Sequence, residues 1–152
     1  MSENQELLAR VPLFEKLPRK ALDRLSKLMV ERGFEAGSEI VKEGEGAAAF
    51  FLIKSGEAEV RHGGSIVRTL AAGECFGEIA LLDGQARSAT VRARDAVTCL
   101  VLVRWDFLSE LRTNPEMAIE LLESLSRRFR ALEADPLRVQ ALRDRRGAGD
   151  ED

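Results

Sequence analysis

The chain is poor in the side chains that most enzymes use for chemistry. Of its 152 residues one is histidine, two are cysteine, one is tryptophan and none is tyrosine, and aromatics make up only 5%. The single histidine, His62, precedes Gly63-Gly64 and reads as an exposed turn residue. That placement argues against Ser-His-Asp catalysis, and one histidine cannot build the multi-histidine metal sites of small β-shell enzymes. Cys75 and Cys99 lie in apolar, strand-like contexts. They fit buried, reduced thiols better than a disulfide or a metal site, so no metal ligand set is expected. Apolar runs of the roughly 18–20 residues that span a bilayer are also missing. The polar, acidic start Met1-Ser2-Glu3-Asn4-Gln5-Glu6 is unlike a signal peptide, and together these features suggest a soluble cytoplasmic protein with no membrane partner. A strong charge of either sign is lacking too: 23 basic against 26 acidic residues leave a net charge of −3, with no broad field to attract nucleic acid.

What the chain does have is a 45% hydrophobic content, enough to bury one core at this length. From Glu6 to Val30 the pattern is helical. Leu7, Leu8 and Val11 precede an interruption from Pro12 to Pro18, and Leu22, Leu25, Leu28 and Met29 follow at three- and four-residue spacing. After Gly33 the period shortens. Ile40-Val41, Phe50–Ile53, Ala58 and Val60, Ile66-Val67, Val91 and Val97–Val103 form β-type runs separated by glycines, which points to a small sandwich or jelly roll. Trp105 to Leu111 predicts a short helix, with Trp105 packing the junction between strands and helices. Asn114-Pro115 opens a long final helix, Pro standing in its first turn. Ala118, Leu121, Leu122, Leu125, Phe129 and Leu132 make an apolar stripe along that helix, read as core or as a dimer seam. The domain is expected to span residues 1–133. Residues 134–152 are charged and nearly free of large apolar groups, which predicts a disordered tail too short to hold a helix-turn-helix.

One stretch can hold a phosphate: Phe76-Gly77-Glu78-Ile79-Ala80-Leu81-Leu82-Asp83-Gly84-Gln85-Ala86-Arg87-Ser88-Ala89-Thr90. Gly77 permits close backbone approach, Glu78–Leu82 can form a helical turn, and free N–H groups at its start favour an anion. Arg87 can return on the following loop with a fork of donors, the Ser88 hydroxyl beside it. A carboxylate such as Glu78 repels phosphate unless it faces a hydroxyl or a cation, and a ribose hydroxyl would satisfy it. The set therefore suits a small phosphate ester that carries a sugar. An Arg–Glu ion pair on a surface loop would explain the two charged residues equally well.

In these residues the chain resembles the cyclic nucleotide-binding domain family, whose phosphate cassette reads approximately FGE(L/I)AL, a short loop, then R(S/A/T)A(T/S)V. Here the run is FGEIALLDGQARSATV. The likeness extends to Ala36–Ile40, Glu43–Glu45, Phe50–Val60, Gly73–Phe76 and the lead-in Val11–Leu17, or roughly Leu7 to Leu132. The resemblance implies an eight-stranded jelly-roll β-barrel, mainly β with flanking helices: one N-terminal and two C-terminal. It implies that Arg87 pairs with the cyclic phosphate, that Glu78 accepts from the ribose 2′-hydroxyl, and that the backbone of Gly77, Glu78, Ile79 and Ala80 donates to the exocyclic oxygens. Ser88 corresponds to a hydroxyl that reaches phosphate or a guanine edge, and Ala89 to the small residue after it. In the family a C-terminal helix closes over the purine. Leu132 and Glu133 stand where catabolite-activator-like members carry a Thr-Ser pair, and the candidate lid is Arg128, ahead of Arg127 or Arg130, stacking over the ring face.

The expectation is a non-enzymatic, cytoplasmic regulatory domain that needs no cofactor and binds cAMP in preference to cGMP. It would signal by movement of the C-terminal helix, through a homodimer or a separate effector protein. The competing readings are an interaction module with a degenerate pocket and a small jelly-roll metalloenzyme.

Overall fold

The computed structural model describes residues 1–46, 48–134, 137, 140–141 and 143–144. The tail expected over residues 134–152 falls for the most part outside the described residues.

The N-terminal segment is helical in three pieces rather than one. Helix α1 (Glu3–Ala9) opens on a capping box, in which Ser2 Oγ accepts from the Gln5 N–H and Gln5 Oε1 accepts from the Ser2 N–H. This S-x-x-Q signal starts the helix three residues before the sequence reading placed it. A 3₁₀ turn at Pro12–Phe14 follows, and then helix α2 (Arg19–Leu28), which buries Ala21, Leu22 and Leu25. The helix stops at Leu28, and Val30 instead begins strand β1 (Val30–Phe34).

The expected strand regions are all present: β2 (Glu39–Val41), β3 (Ala49–Ser55), β4 (Ala58–His62), β5 (Ser65–Leu70), β7 (Thr90–Ala93) and β8 (Val97–Val103). A two-residue strand, β6 (Cys75-Phe76), completes eight. They form two antiparallel four-stranded sheets, ordered β1-β8-β3-β6 and β2-β7-β4-β5. Hydrogen bonding among the described residues does not join these sheets into one closed barrel.

Two cores explain the apolar runs. Along β3, Phe50 and Leu52 face the helices, while Phe51 and Ile53 face the second sheet; along β8, Leu100 and Leu102 alternate in the same way with Cys99 and Val101. The first sheet is covered on both faces, so its central strands are continuously hydrophobic. The second sheet has an outer edge in solvent, and β5 is exposed up to Leu70.

Helix α4 (Arg104–Thr113) and helix α5 (Pro115–Glu133) follow β8 directly. The stripe read along α5 divides. Met117, Leu121 and Ser124 are buried, with Ser124 Oγ donating to Pro12 O at 3.3 Å, whereas Leu122 and Phe129 are exposed. Trp105 is also on the surface, 67% exposed, and does not pack the strand–helix junction. Phe107 fills that position, fully buried against Phe14.

Candidate functional site

Between β6 and β7 the chain makes a short helix, α3 (Ala80–Asp83), which starts two residues later than the sequence suggested. Gly77 explains the delay: it lies in the left-handed region at φ +84°, and Glu78-Ile79 form a turn before the helix settles. The first bond of the turn is Leu81 N–H to Gly77 O, at 3.2 Å. Leu81 is buried among the helix-facing core residues and Leu82 packs partly buried against them, so α3 is anchored inward by two adjacent side chains.

A cavity of about 460 Å³ lies over this segment. Gly77, Glu78, Ile79, Ala80, Arg87, Ser88 and Ala89 all line it, so the seven cassette positions marked in the sequence converge on one space. Its floor is apolar, formed by Val41, Val60, Leu70 and Val91 of the second sheet. Arg68, Asp83 and Gln85 also line it and were not anticipated. Arg68 could have been found from strand pairing, since on β5 it stands opposite Val60 of β4.

Arg87 is half-buried in the wall. Its Nη2 donates to the Ala49 carbonyl, and its guanidinium carbon sits 5.7 Å from the centroid of Phe51, which stacks on Phe76. Burial pushes its pKa below the usual arginine value. A Cβ on Gly77 would collide with Arg87 Nη1 and reach 3.0 Å from Ala49 O, so only glycine lets the guanidinium lie there. The backbone around Arg87 is equally committed. Its N–H donates to Glu45 O at 2.8 Å, its carbonyl accepts from Gly44 N–H at 2.9 Å, and Thr90 Oγ1 accepts from Glu43 N–H at 3.0 Å. His62 is exposed as expected but not idle: its Nδ1 lies 2.9 Å from Glu43 Oε1 and 3.0 Å from Ser88 O.

Glu78 faces a different environment. Its Oε1 is 3.4 Å from Arg128 Nη2 of α5. Glu78 Oε2 and Arg128 Nη1 are both buried with no hydrogen-bond partner among the described residues. Arg128, expected as a lid, does not line the cavity; it extends the buried row Met117, Leu121 and Ser124 by a further turn and meets Glu78 there. Nearby Cys75 is a free thiol in the cavity wall, pushed up to about 12 first by burial and then by the Glu78 carboxylate. Cys99 is a free, buried thiol between the sheets, raised to about 11 by burial.

A half-buried cation, a half-paired carboxylate and an apolar floor make a space for a small anion with a hydroxyl and a flat apolar part. Among the described residues no group of three or more His, Cys, Asp or Glu side chains could hold a metal ion, and no helix is long and apolar enough to cross a membrane.

Comparison with known proteins gives a consistent picture. The family model described as "Cyclic nucleotide-binding domain" matches residues 31–114. A cGMP-dependent protein kinase of Toxoplasma gondii is 38% identical over 103 residues, 68% of this chain, of which the chain spans only 10%. The cyclic AMP receptor protein of Thermus thermophilus is 36% identical over 141 residues, covering 88% of this chain and 65% of that protein. Among solved structures, the N-terminal domain of a transcriptional regulator from Streptomyces coelicolor superposes with a TM-score of 0.77 at 27% identity, covering 82% of this chain and 93% of that one.

Proposed function

Since this chain belongs to the cyclic nucleotide-binding domain family, a regulatory fold, we propose that it is a cytoplasmic receptor for a purine 3′,5′-cyclic nucleotide, cAMP before cGMP, with no catalytic step of its own. The observation that carries the reading is the buried Oε2 of Glu78, without a hydrogen-bond partner among the described residues, on a cavity whose other wall presents Arg87. A buried carboxylate oxygen without a donor is costly, and a ribose 2′-hydroxyl removes the cost. Arg87 supplies a charge-assisted fork to the cyclic phosphate, and the Gly77–Ala80 backbone supplies N–H donors beside it. Ser88 and Ala89 border the purine, whose flat face rests on the apolar floor. In the family a threonine after the cassette arginine accompanies cGMP preference; Ser88 stands there in this chain and is permissive, which leaves cAMP the first choice and cGMP the second. The cavity lies within the range of small-molecule sites, about 300–1,000 Å³.

The output runs through α5. A ligand that engages Glu78 acts on the Arg128 ion pair and so shifts the helix, whose exposed side chains Ile119, Leu122 and Phe129 are available to a second copy or to a separate effector. Thermal unfolding with cAMP, cGMP and AMP tests the reading. At a concentration 100 times Kd the cyclic nucleotide stabilises by about 2.7 kcal/mol, a Tm rise of roughly 5–11 °C for a domain of this size. AMP gives a smaller rise. No rise with either cyclic nucleotide would favour an interaction module with a closed or degenerate pocket.

A further inference from the structure

The geometry points to Arg104 as a positioning residue that fastens the cassette helix α3 to the start of α4, so that occupation of the cavity is transmitted to α4 as well as to α5. The inference rests on the nucleotide-receptor reading above. Arg104 is the first residue after β8, which is held on one side by β1 and on the other by β3. Its own N–H donates to Ala48 O at 2.8 Å, fixing the strand end. From this fixed point its side chain reaches back to the cassette: Nη2 donates to Leu82 O at 3.2 Å, at the carbonyl end of α3, where a cation is favourable. The guanidinium packs against Gly84, the left-handed residue that ends α3. A Cβ there would come within 3.1 Å of Arg104 Cζ. Arg104 Nε is buried with no hydrogen-bond partner among the described residues, so the side chain is held by Leu82 and Gly84 rather than by a surrounding network.

The same short helix touches the cavity at both ends, through Ala80 and through Asp83. A ligand that draws in the Gly77–Ala80 backbone pulls on a single hydrogen-bonded turn, with Leu82 N–H on Ile79 O and Gly84 N–H on Ala80 O, so the Leu82 carbonyl moves with it. Arg104 must follow or lose its one side-chain bond. It follows at the junction between a strand with neighbours on both sides and the first turn of α4, ahead of the buried Phe107, and such element ends are where hinge motion concentrates. This link is separate from the Glu78–Arg128 pair: it joins the C-terminal end of α3 to a different helix.

The chain carries its own reporter, since its only tryptophan is the next residue, Trp105, on the surface. The experiment titrates the full chain with cAMP while following Trp105 emission, excited where adenine does not absorb, and measures binding separately by calorimetry. The Arg104→Met variant keeps the length and apolar stem but removes the donors. It should bind cAMP within about tenfold of the parent, while its Trp105 response falls by about fivefold or more. Arg104→Lys, which can still reach the Leu82 carbonyl, should restore part of the response. A purely structural role would lower stability and leave the response per bound ligand intact. A response in Arg104→Met equal to the parent's, or a parent that binds cAMP with no change at Trp105, overturns the inference and leaves the receptor reading standing. Failure of the parent to bind any cyclic nucleotide overturns both. Should Arg104→Met not fold, amide hydrogen exchange on the parent decides: ligand must change protection at the start of α4, and unchanged exchange there sinks the link.

Discussion

Arg87 and Glu78 face one cavity but are held by opposite kinds of structure. Arg87 is fixed by the β framework: its backbone is bonded to the 43–45 turn, its side chain to Ala49 O, and Gly77 leaves it room. Among the described residues Glu78 is held by a single 3.4 Å ion pair to a helix and keeps one buried oxygen unpartnered. The comparison separates two tasks. On the proposed reading the arginine end is preorganised and would supply affinity, since little has to move for it to meet an anion. The glutamate end would be completed by a ligand, and its contact with α5 would pass the change on.

The largest break in this comparison is expected at the arginine. Arg87→Ala should lose about 1.5–3 kcal/mol of cAMP binding, roughly 10- to 150-fold in Kd by calorimetry, with Tm of the free protein moving much less. Equal affinity in that variant would mean that the guanidinium stays on Ala49 O and never meets the phosphate. Gly77→Ala attacks the same end from below. At φ +84° a side chain is strained by about 1–2 kcal/mol, and its methyl group displaces Arg87, so unfolding stability and affinity fall together. An affinity loss without a stability loss would contradict the packing described around Gly77.

The glutamate end should show a smaller effect with a sharper signature. 2′-Deoxy-cAMP should bind the parent about 1 kcal/mol more weakly than cAMP, roughly fivefold. Glu78→Gln should bind the two nucleotides alike. Equal parent affinities would leave Glu78 without a ribose to hold.

How much of this was legible in the sequence depends on how local each feature is. The cassette was readable because its parts lie within fifteen residues, and Gly77, Glu78 and Arg87 converge through one turn and one loop. The continuous runs Phe50–Ile53 and Val97–Val103 marked the doubly covered strands, because a strand buried on both faces needs no alternation. Strand β6 was legible only as the strand-like context of Cys75, since two residues carry no period, and its place in the sheet comes from β3 running beside it. The stripe on α5 failed for a different reason. Period alone gives several overlapping apolar rows, and only tertiary packing chose Met117, Leu121 and Ser124 over Leu122 and Phe129. The row chosen runs on to Arg128, a spacing visible in the sequence once the inward face is known. Trp105 was misplaced because an aromatic at a strand–helix junction suggests packing, whereas Phe107, one strand-like step further on, is the residue that turns inward.

The smallest predicted change tests whether the helix link supplies stability or only communication. The Arg128 side chain is 38% exposed and its contact with Glu78 is long, so removing it as Arg128→Met should cost the free protein no more than about 1 kcal/mol in urea unfolding. The consequence for signalling is larger than that figure suggests. Without Arg128, Glu78 would keep the proposed ribose partner but lose its tie to α5, so binding should persist while ligand-induced protection of the α5 amides in hydrogen exchange disappears. A variant that still protects α5 on binding cAMP would mean that the helix senses the ligand by another route, with the Arg104 contact at the C-terminal end of α3 the next to remove.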